Sequence, residues 1–216
     1  MSNKSYTNVF GNKNYIIGIS GIIGVGKSTL TNDIGHKLNC EILKEPVETN
    51  EYLSNFYEDM SKFAFPMQIY LLNHRFKQHQ QMVWSYKSTI QDRTIYEDVI
   101  FAKMLNESQL MTDLDFQTYI SLFQNMSNFL HRPDLIVYLD VEPEEALRRI
   151  NLRSRDCESG MSIEYLRKLK MGYEDWLEDI KDRIPVLYVD WNQFKDTDEI
   201  IFKINEMLKN KKGLIV

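Results

Sequence analysis

The stretch Gly21-Ile-Ile-Gly-Val-Gly-Lys-Ser-Thr29 decides the fold. It fits G-x-x-x-x-G-K-[ST] through Gly21, Gly26, Lys27 and Ser28, and the apolar run Tyr15-Ile-Ile-Gly-Ile-Ser20 leads into it as a buried strand would. Glycines at 21, 24 and 26 let the backbone turn tightly and set unpaired N–H groups against an anion at the positive end of the next helix. Lys27 would bridge phosphates, and the Ser28 hydroxyl, beside Thr29, would ligate Mg²⁺. A glycine-rich strand-to-helix turn with no ligand is the bland alternative, and the full motif in its proper setting weighs against it.

Outward from the loop, strands alternate with helices. Residues 27–38 read as a helix, and 41–44 as a short strand ending at Glu45-Pro46. Helical spacing runs over 51–59 and 65–82, and Thr89-Ile-Gln91 is a strand entering Asp92-Arg93. Helices are expected over 97–105 and 113–130, the latter with Phe116, Ile120, Phe123, Met126 and Leu130 at helical spacing. Leu135-Ile-Val-Tyr-Leu139 is the clearest buried strand, Pro143 opens a helix to about 152, and a further helix, strand and helix are expected over 162–180, 186–189 and 197–209. Five apolar strands so arranged give an α/β fold, a parallel five-stranded sheet with helices on both faces. Ligands sit beyond the carboxyl ends of such strands, where Lys27, Glu45, Asp92, Arg93 and Asp140 fall.

The 216 residues suit one domain over 15–216 with a small lid near 153–160, and residues 1–14 read as a loose tail. With 43% hydrophobic and 26% charged residues and no run long enough to span a bilayer, no membrane association is expected. Cys40 and Cys157 stand far apart without a Cys/His cluster, which argues against zinc or a disulfide scaffold and fits a reducing, cytoplasmic setting. A net charge of −5 argues against nucleic acid as a partner, so clustered cations would serve a small phosphate ligand.

Phosphoryl transfer needs positioned phosphates, a metal, charge neutralisation and an acceptor for the nucleophile's proton. Glu45 could take that proton; spacing alone equally allows a solvated loop carboxylate. Asp92 could hold Mg²⁺ while Arg93 turns toward phosphate or Glu45, although such a pair by itself is usually a surface ion pair. Arg148, Arg149, Arg153 and Arg155 fit a lid over a triphosphate, or cations complementing a helix C-terminus. Gln68 and Arg75 lie about two turns apart on one helix and could face a nucleobase, or solvent. Aromatics nearby, Phe56, Tyr57 and Phe101 among them, are more often core than stacking platform.

Taken together, GIIGVGKST, KEPVE, FAFPMQIYLLNHR, DRTIYEDVIFAK and PDLIVYLDVEPEEALRRINLRSRDCESGMSIEYL resemble the deoxynucleoside kinases related to deoxycytidine, deoxyguanosine and bacterial deoxyadenosine kinases. The resemblance covers about residues 15–194 and implies a P-loop kinase fold with a short Arg-rich lid. It implies an ATP- and Mg²⁺-dependent phosphotransferase that acts on a deoxynucleoside 5′-hydroxyl in nucleotide salvage, with ATP and the nucleoside as small-molecule partners. By that resemblance Glu45 is the general base beside Arg93, Tyr57 and Glu158 hold the 3′-hydroxyl, Gln68 bonds the base and Phe101 stacks on it. Asp92 stands where the family usually has Glu and would reach Mg²⁺ through water. Arg149, Arg153 and Arg155 match the lid arginines, and Phe194 is the candidate contact for the ATP adenine.

Two departures stand out: the family's Trp after Glu-Pro is replaced by Asn50, and a segment one residue shorter than in the animal enzymes would offset Phe101. Within the family, Arg75 with Asp98 goes with cytosine or purine acceptance, which implies deoxyadenosine, deoxycytidine or deoxyguanosine over thymidine. Its relatives of this type also imply a homodimer built on helices. The rivals are a thymidylate-type nucleoside monophosphate kinase and a non-catalytic P-loop protein.

Overall fold

The computed structural model describes residues 10, 13–46, 50–153 and 160–210. Five strands, β1 (Ile16–Ser20), β2 (Glu41–Leu43), β3 (Thr89–Asp92), β4 (Leu135–Asp140) and β5 (Val186–Asp190), form one sheet in the order β2-β3-β1-β4-β5. Every pairing is parallel. Parallel strands need crossovers, and these are α1 (Lys27–Leu38), α2 (Leu53–Glu58) with α3 (Met60–Ser85), α4 (Asp98–Glu107) with α5 (Asp113–Ser127), α6 (Pro143–Arg153) with α7 (Ile163–Ile180), and finally α8 (Thr197–Asn210). β1 and β4 are almost wholly buried, which is why they read as uninterrupted apolar runs.

Register delivers the functional positions to one edge. Ile19 pairs with Asp92, Ser20 with Tyr138 and Leu43 with Gln91, so the chain leaves β1, β2 and β3 at nearly the same level. The phosphate loop, Glu45 and Asp92-Arg93 thus emerge side by side. Asp140, expected at the same cleft, is instead half-exposed and ion-paired with Lys170 at 3.3 Å, on the far side of β1.

Several boundaries differ from the sequence reading for identifiable reasons. The helix expected to start at Phe65 starts at Met60, because Asp59 caps it by accepting from the Lys62 N–H at 3.1 Å, and Pro66 is carried inside. The helix expected from 97 begins at Asp98, after a 3₁₀ turn over Ile95–Glu97. The helix expected to reach 130 ends at Ser127, and only Tyr119 of its residues is fully enclosed. At the amino end, Phe10 packs on Tyr15 with ring centroids 5.3 Å apart, and Asn14 donates to the Tyr86 carbonyl at 2.7 Å. Most of the expected lid, with Arg155 and Glu158, lies outside the described residues. No helix among the described residues is long and apolar enough to cross a membrane.

Candidate active site

The phosphate loop is built by backbone conformations that few side chains tolerate. Gly21, Gly24 and Gly26 have φ of 143°, 86° and 98°. A methyl group on Gly24 would also meet Ile150 Cγ1 at 2.5 Å and the Ala146 carbonyl at 2.7 Å, because α6 presses directly on the loop. Arg149 of α6 ties this contact down. Its Nη1 donates to the Val25 carbonyl at 3.0 Å, its Nη2 to the Trp191 and Asn192 carbonyls at 2.8 and 2.9 Å, and its Nε to Glu145 at 2.7 Å. Phe194 covers the same guanidinium at 4.3 Å and is itself two-thirds exposed.

Lys27 is buried and donates to the Ile22 carbonyl at 2.9 Å, curled under its own loop. Burial, with Arg93 nearby, lowers its pKa to about 8. Ser28 Oγ donates to Asp92 Oδ2. Asp92 Oδ1 is buried without a hydrogen-bond partner among the described residues, and burial together with Glu45 raises the carboxyl above its usual range. An oxygen donor left vacant beside a serine hydroxyl fits a hard cation such as Mg²⁺, which takes one or two protein oxygens and completes its shell with water and phosphate. The described residues offer no cluster of three or more acidic, His or Cys ligands.

The acceptor side is organised by alternating charges. Arg75 Nε meets Asp98 at 2.6 Å and its Nη2 meets Glu45 Oε1 at 3.0 Å. Arg93 Nε approaches the same oxygen at 3.0 Å, and its Nη1 approaches Glu97 at 3.3 Å. The row Asp98, Arg75, Glu45, Arg93, Glu97 is enclosed except at its centre, where the Glu45 side chain keeps 22% exposure. Arg75 hydrogen-bonds Oε1 and Arg93 pairs with it by charge alone; Oε2 has no protein hydrogen bond among the described residues. Burial would raise the Glu45 pKa, but Arg93, Arg75 and Lys27 outweigh it and hold it at about 2.

One cleft gathers most of the expected residues. Gly24, Gly26, Lys27, Ser28, Thr29, Arg149 and Arg153 line its donor end, and Glu45, Tyr57, Gln68, Arg75, Arg93, Asp98 and Phe101 its acceptor end. Gly21 and Asp92 sit behind the lining and Phe194 flanks it. Phe101, expected to be offset, does face the cleft, with the Arg93 guanidinium 4.8 Å from its ring. Asn50 lies on the wall and donates to the Met67 sulfur at 3.3 Å. Sequence reasoning missed Tyr165, which lines the cleft, and Glu97, which stands behind it. Tyr165 is brought in by α7, whose Ser162 cap accepts from the Tyr165 N–H at 3.1 Å.

A phosphate loop feeding a cleft whose far end holds one accessible carboxylate and a buried amide belongs to a kinase of small hydroxyl acceptors. Residues 17–211 match the deoxynucleoside kinase family profile. The chain belongs to the deoxynucleoside kinase family. It is 53% identical over 184 residues to a deoxyadenosine kinase of Dictyostelium discoideum, covering 85% of this chain and 75% of that one. To the deoxyadenosine/deoxycytidine kinase of Bacillus subtilis it is 37% identical over 194 residues, covering 87% and 89%. The solved deoxyadenosine kinase from M. mycoides with bound dATP superposes with a TM-score of 0.81 at 35% identity, over 89% of this chain and all of that one. The family thus accounts for the P-loop kinase fold, and this deoxynucleoside kinase is a phosphotransferase that transfers a phosphoryl group to the 5′-hydroxyl of a deoxynucleoside.

Proposed function

We propose that this kinase uses ATP with Mg²⁺ to phosphorylate deoxyadenosine foremost, deoxycytidine and deoxyguanosine next, and thymidine poorly. The observation that carries the acceptor class is the occupation of Arg75 and Arg93. Each is paired with carboxylates on the acceptor side, and the exposed Glu45 oxygen there would repel an acceptor phosphate. A neutral sugar hydroxyl meets no such penalty. This argues against the thymidylate-type monophosphate kinase.

In this reading the loop N–H groups and Lys27 hold the donor phosphates, with Arg153 beside them on the cleft wall. Glu45 Oε2 accepts the hydrogen bond of the 5′-hydroxyl and then its proton, while Arg93 stabilises charge next to it. Ser28 and Asp92 would hold Mg²⁺, directly or through water, and the bound ion would neutralise developing charge on the phosphates. Gln68 is buried, with only 3% exposure, and its amide offers a donor and an acceptor that match the amino edge of adenine or cytosine. The charged Arg75–Asp98 pair beyond it disfavours a thymine methyl. Tyr57 and Glu158 would hold the 3′-hydroxyl, and Phe101 would stack on the base. Arg149, Arg155 and Phe194 would complete the donor end.

The kinase would work as a homodimer in the cytoplasm. Exposed apolar side chains on α5 and the turn after it, Leu114 at 77%, Leu122 at 39% and Phe129 at 86%, suit a face shared with a second copy.

ADP release from ATP and Mg²⁺, measured with each of the four deoxynucleosides and separately with their monophosphates, tests the proposal. Fastest turnover is expected on deoxyadenosine and slowest on thymidine. A thymidine optimum would overturn the base preference, and turnover on monophosphates alone would overturn the acceptor class.

A further inference from the structure

Glu97 does not line the cleft and has no measurable exposure, yet it collects more hydrogen-bond partners than any other acid in the site. Its Oε1 accepts from Ser20 Oγ and from the Thr94 N–H, each at 2.8 Å. Its Oε2 accepts from the Tyr173 hydroxyl at 2.5 Å and from Arg93 Nη1 at 3.3 Å. Tyr173, on α7, is also in contact with Arg93 Nη1 through its hydroxyl and lies with its ring 5.9 Å from the guanidinium. Three parts of the chain, β1, the 3₁₀ turn and α7, therefore converge on one edge of Arg93.

Arg93 itself has φ of 66°, in the left-handed region that a bulky side chain rarely occupies. Such a conformation persists only where its surroundings over-determine it, and it gathers at functional sites. With Nη1 taken by Glu97 and Tyr173, Nε lies 3.0 Å from Glu45 Oε1 as an ion pair without hydrogen-bond alignment, and Nη2 makes no protein hydrogen bond among the described residues. A buried carboxylate is not an economical way to close a core, since apolar residues of similar volume often stabilise as well.

We propose that Glu97, together with the Tyr173 hydroxyl, is a positioning residue for phosphoryl transfer. It holds Arg93 in its left-handed conformer and orients the guanidinium so that one nitrogen keeps Glu45 in place and another remains for the transferring group. This rests on the reading of Glu45 as the proton acceptor. The claim concerns turnover rather than affinity, because Glu97 reaches neither substrate.

The test is steady-state kinetics of the full chain over ATP and nucleoside for Glu97→Gln, Glu97→Asp, Tyr173→Phe and the Gln/Phe double variant, each with its melting temperature. Glu97→Gln and Tyr173→Phe are each expected to lower kcat about tenfold or more with both KM values within about threefold. Glu97→Asp should recover part of the loss, and the double variant should fall little below Glu97→Gln, since both act through Arg93. A kcat within about twofold of wild type in Tyr173→Phe would overturn the proposal, as would a loss that appears equally in both KM values. If Glu97→Gln does not fold, Tyr173→Phe, which removes a single hydroxyl, decides alone. The reference is wild-type turnover on whichever acceptor proves fastest, so a wrong acceptor assignment changes the substrate used and leaves this comparison intact.

Discussion

Glu45, held at about 2, is ionised at every pH at which the enzyme would be assayed, and it is a weak base. An alcohol is far less acidic than that, so Glu45 can take the proton only late, as the bond to phosphorus forms in a loose transition state. Before then it orients the hydroxyl. Glu45→Gln keeps the shape and removes the proton sink, and kcat should fall at least about a hundredfold with a smaller change in nucleoside KM. Turnover near wild type in steady-state assays would strip Glu45 of the role. Because its folded pKa is depressed from 4.5, the stability this carboxyl contributes is fully present above that value and is lost as pH falls toward about 2. Lys27 has the opposite charge and limits the other side. It loses its proton as pH rises through about 8, so kcat/KM for ATP should bend downward above that pH. Bound phosphates favour the cation and should move the bend upward at saturating ATP; a profile flat to about pH 10 at low ATP would contradict this.

Among elements, the pairing of the phosphate loop with α6 governs the donor half. Gly24 combines a positive φ with the closest approach of Ile150 and the Ala146 carbonyl, so Gly24→Ala forces the loop or the helix to shift. The melting temperature should drop, and KM for ATP should rise more than KM for the nucleoside; an unchanged ATP KM in a folded variant would contradict the account. The loop motif made this junction legible in advance, because glycine spacing encodes backbone conformation locally. The strands were legible for a related reason, each being a short apolar run, and the central β1, β3 and β4 are buried on both faces while the edge strands β2 and β5 are only partly so. Less legible were features set by distant partners. The start of α3 depends on the Asp59 cap seven residues before Pro66, and a proline in the second turn misdirects a reading that places it at the first. Glu97 gave a local signal only, the capping-box spacing Thr94-x-x-Glu97, which the structure forms; its burial against Ser20, Arg93 and Tyr173 is set by distant partners that spacing does not show. The arginines of α6 were read as one group, yet Arg149 is bound to loop carbonyls and Arg148 pairs with Glu145 in solvent, a division that helical spacing does not show.

For the whole molecule, the stripe of α5 lies between core and surface. Phe116, Ile120 and Phe123 are partly buried against the core, while Leu114 and Leu122 stand exposed. Leu122→Glu should be tolerated by a lone chain at so exposed a site and should be disruptive in a shared interface. Sedimentation velocity should therefore give twice the chain mass for wild type and a monomer for the variant. A wild-type monomer at micromolar concentration would end the dimer reading.

The row of alternating charges at the acceptor end also makes the two halves of the cleft respond differently to ionic strength. Dissolved ions weaken attractions between groups that stand in water and barely reach those enclosed by protein. Asp98, Arg75, Arg93 and Glu97 are enclosed, whereas at the donor end Lys27 and Arg149 are buried and Arg153 is the exposed cation among the described lining residues. Potassium chloride would therefore weaken the share of the triphosphate's hold that Arg153 supplies while leaving the grip on the nucleoside nearly untouched, so that occupancy by the donor is what tracks the salt content of the surroundings.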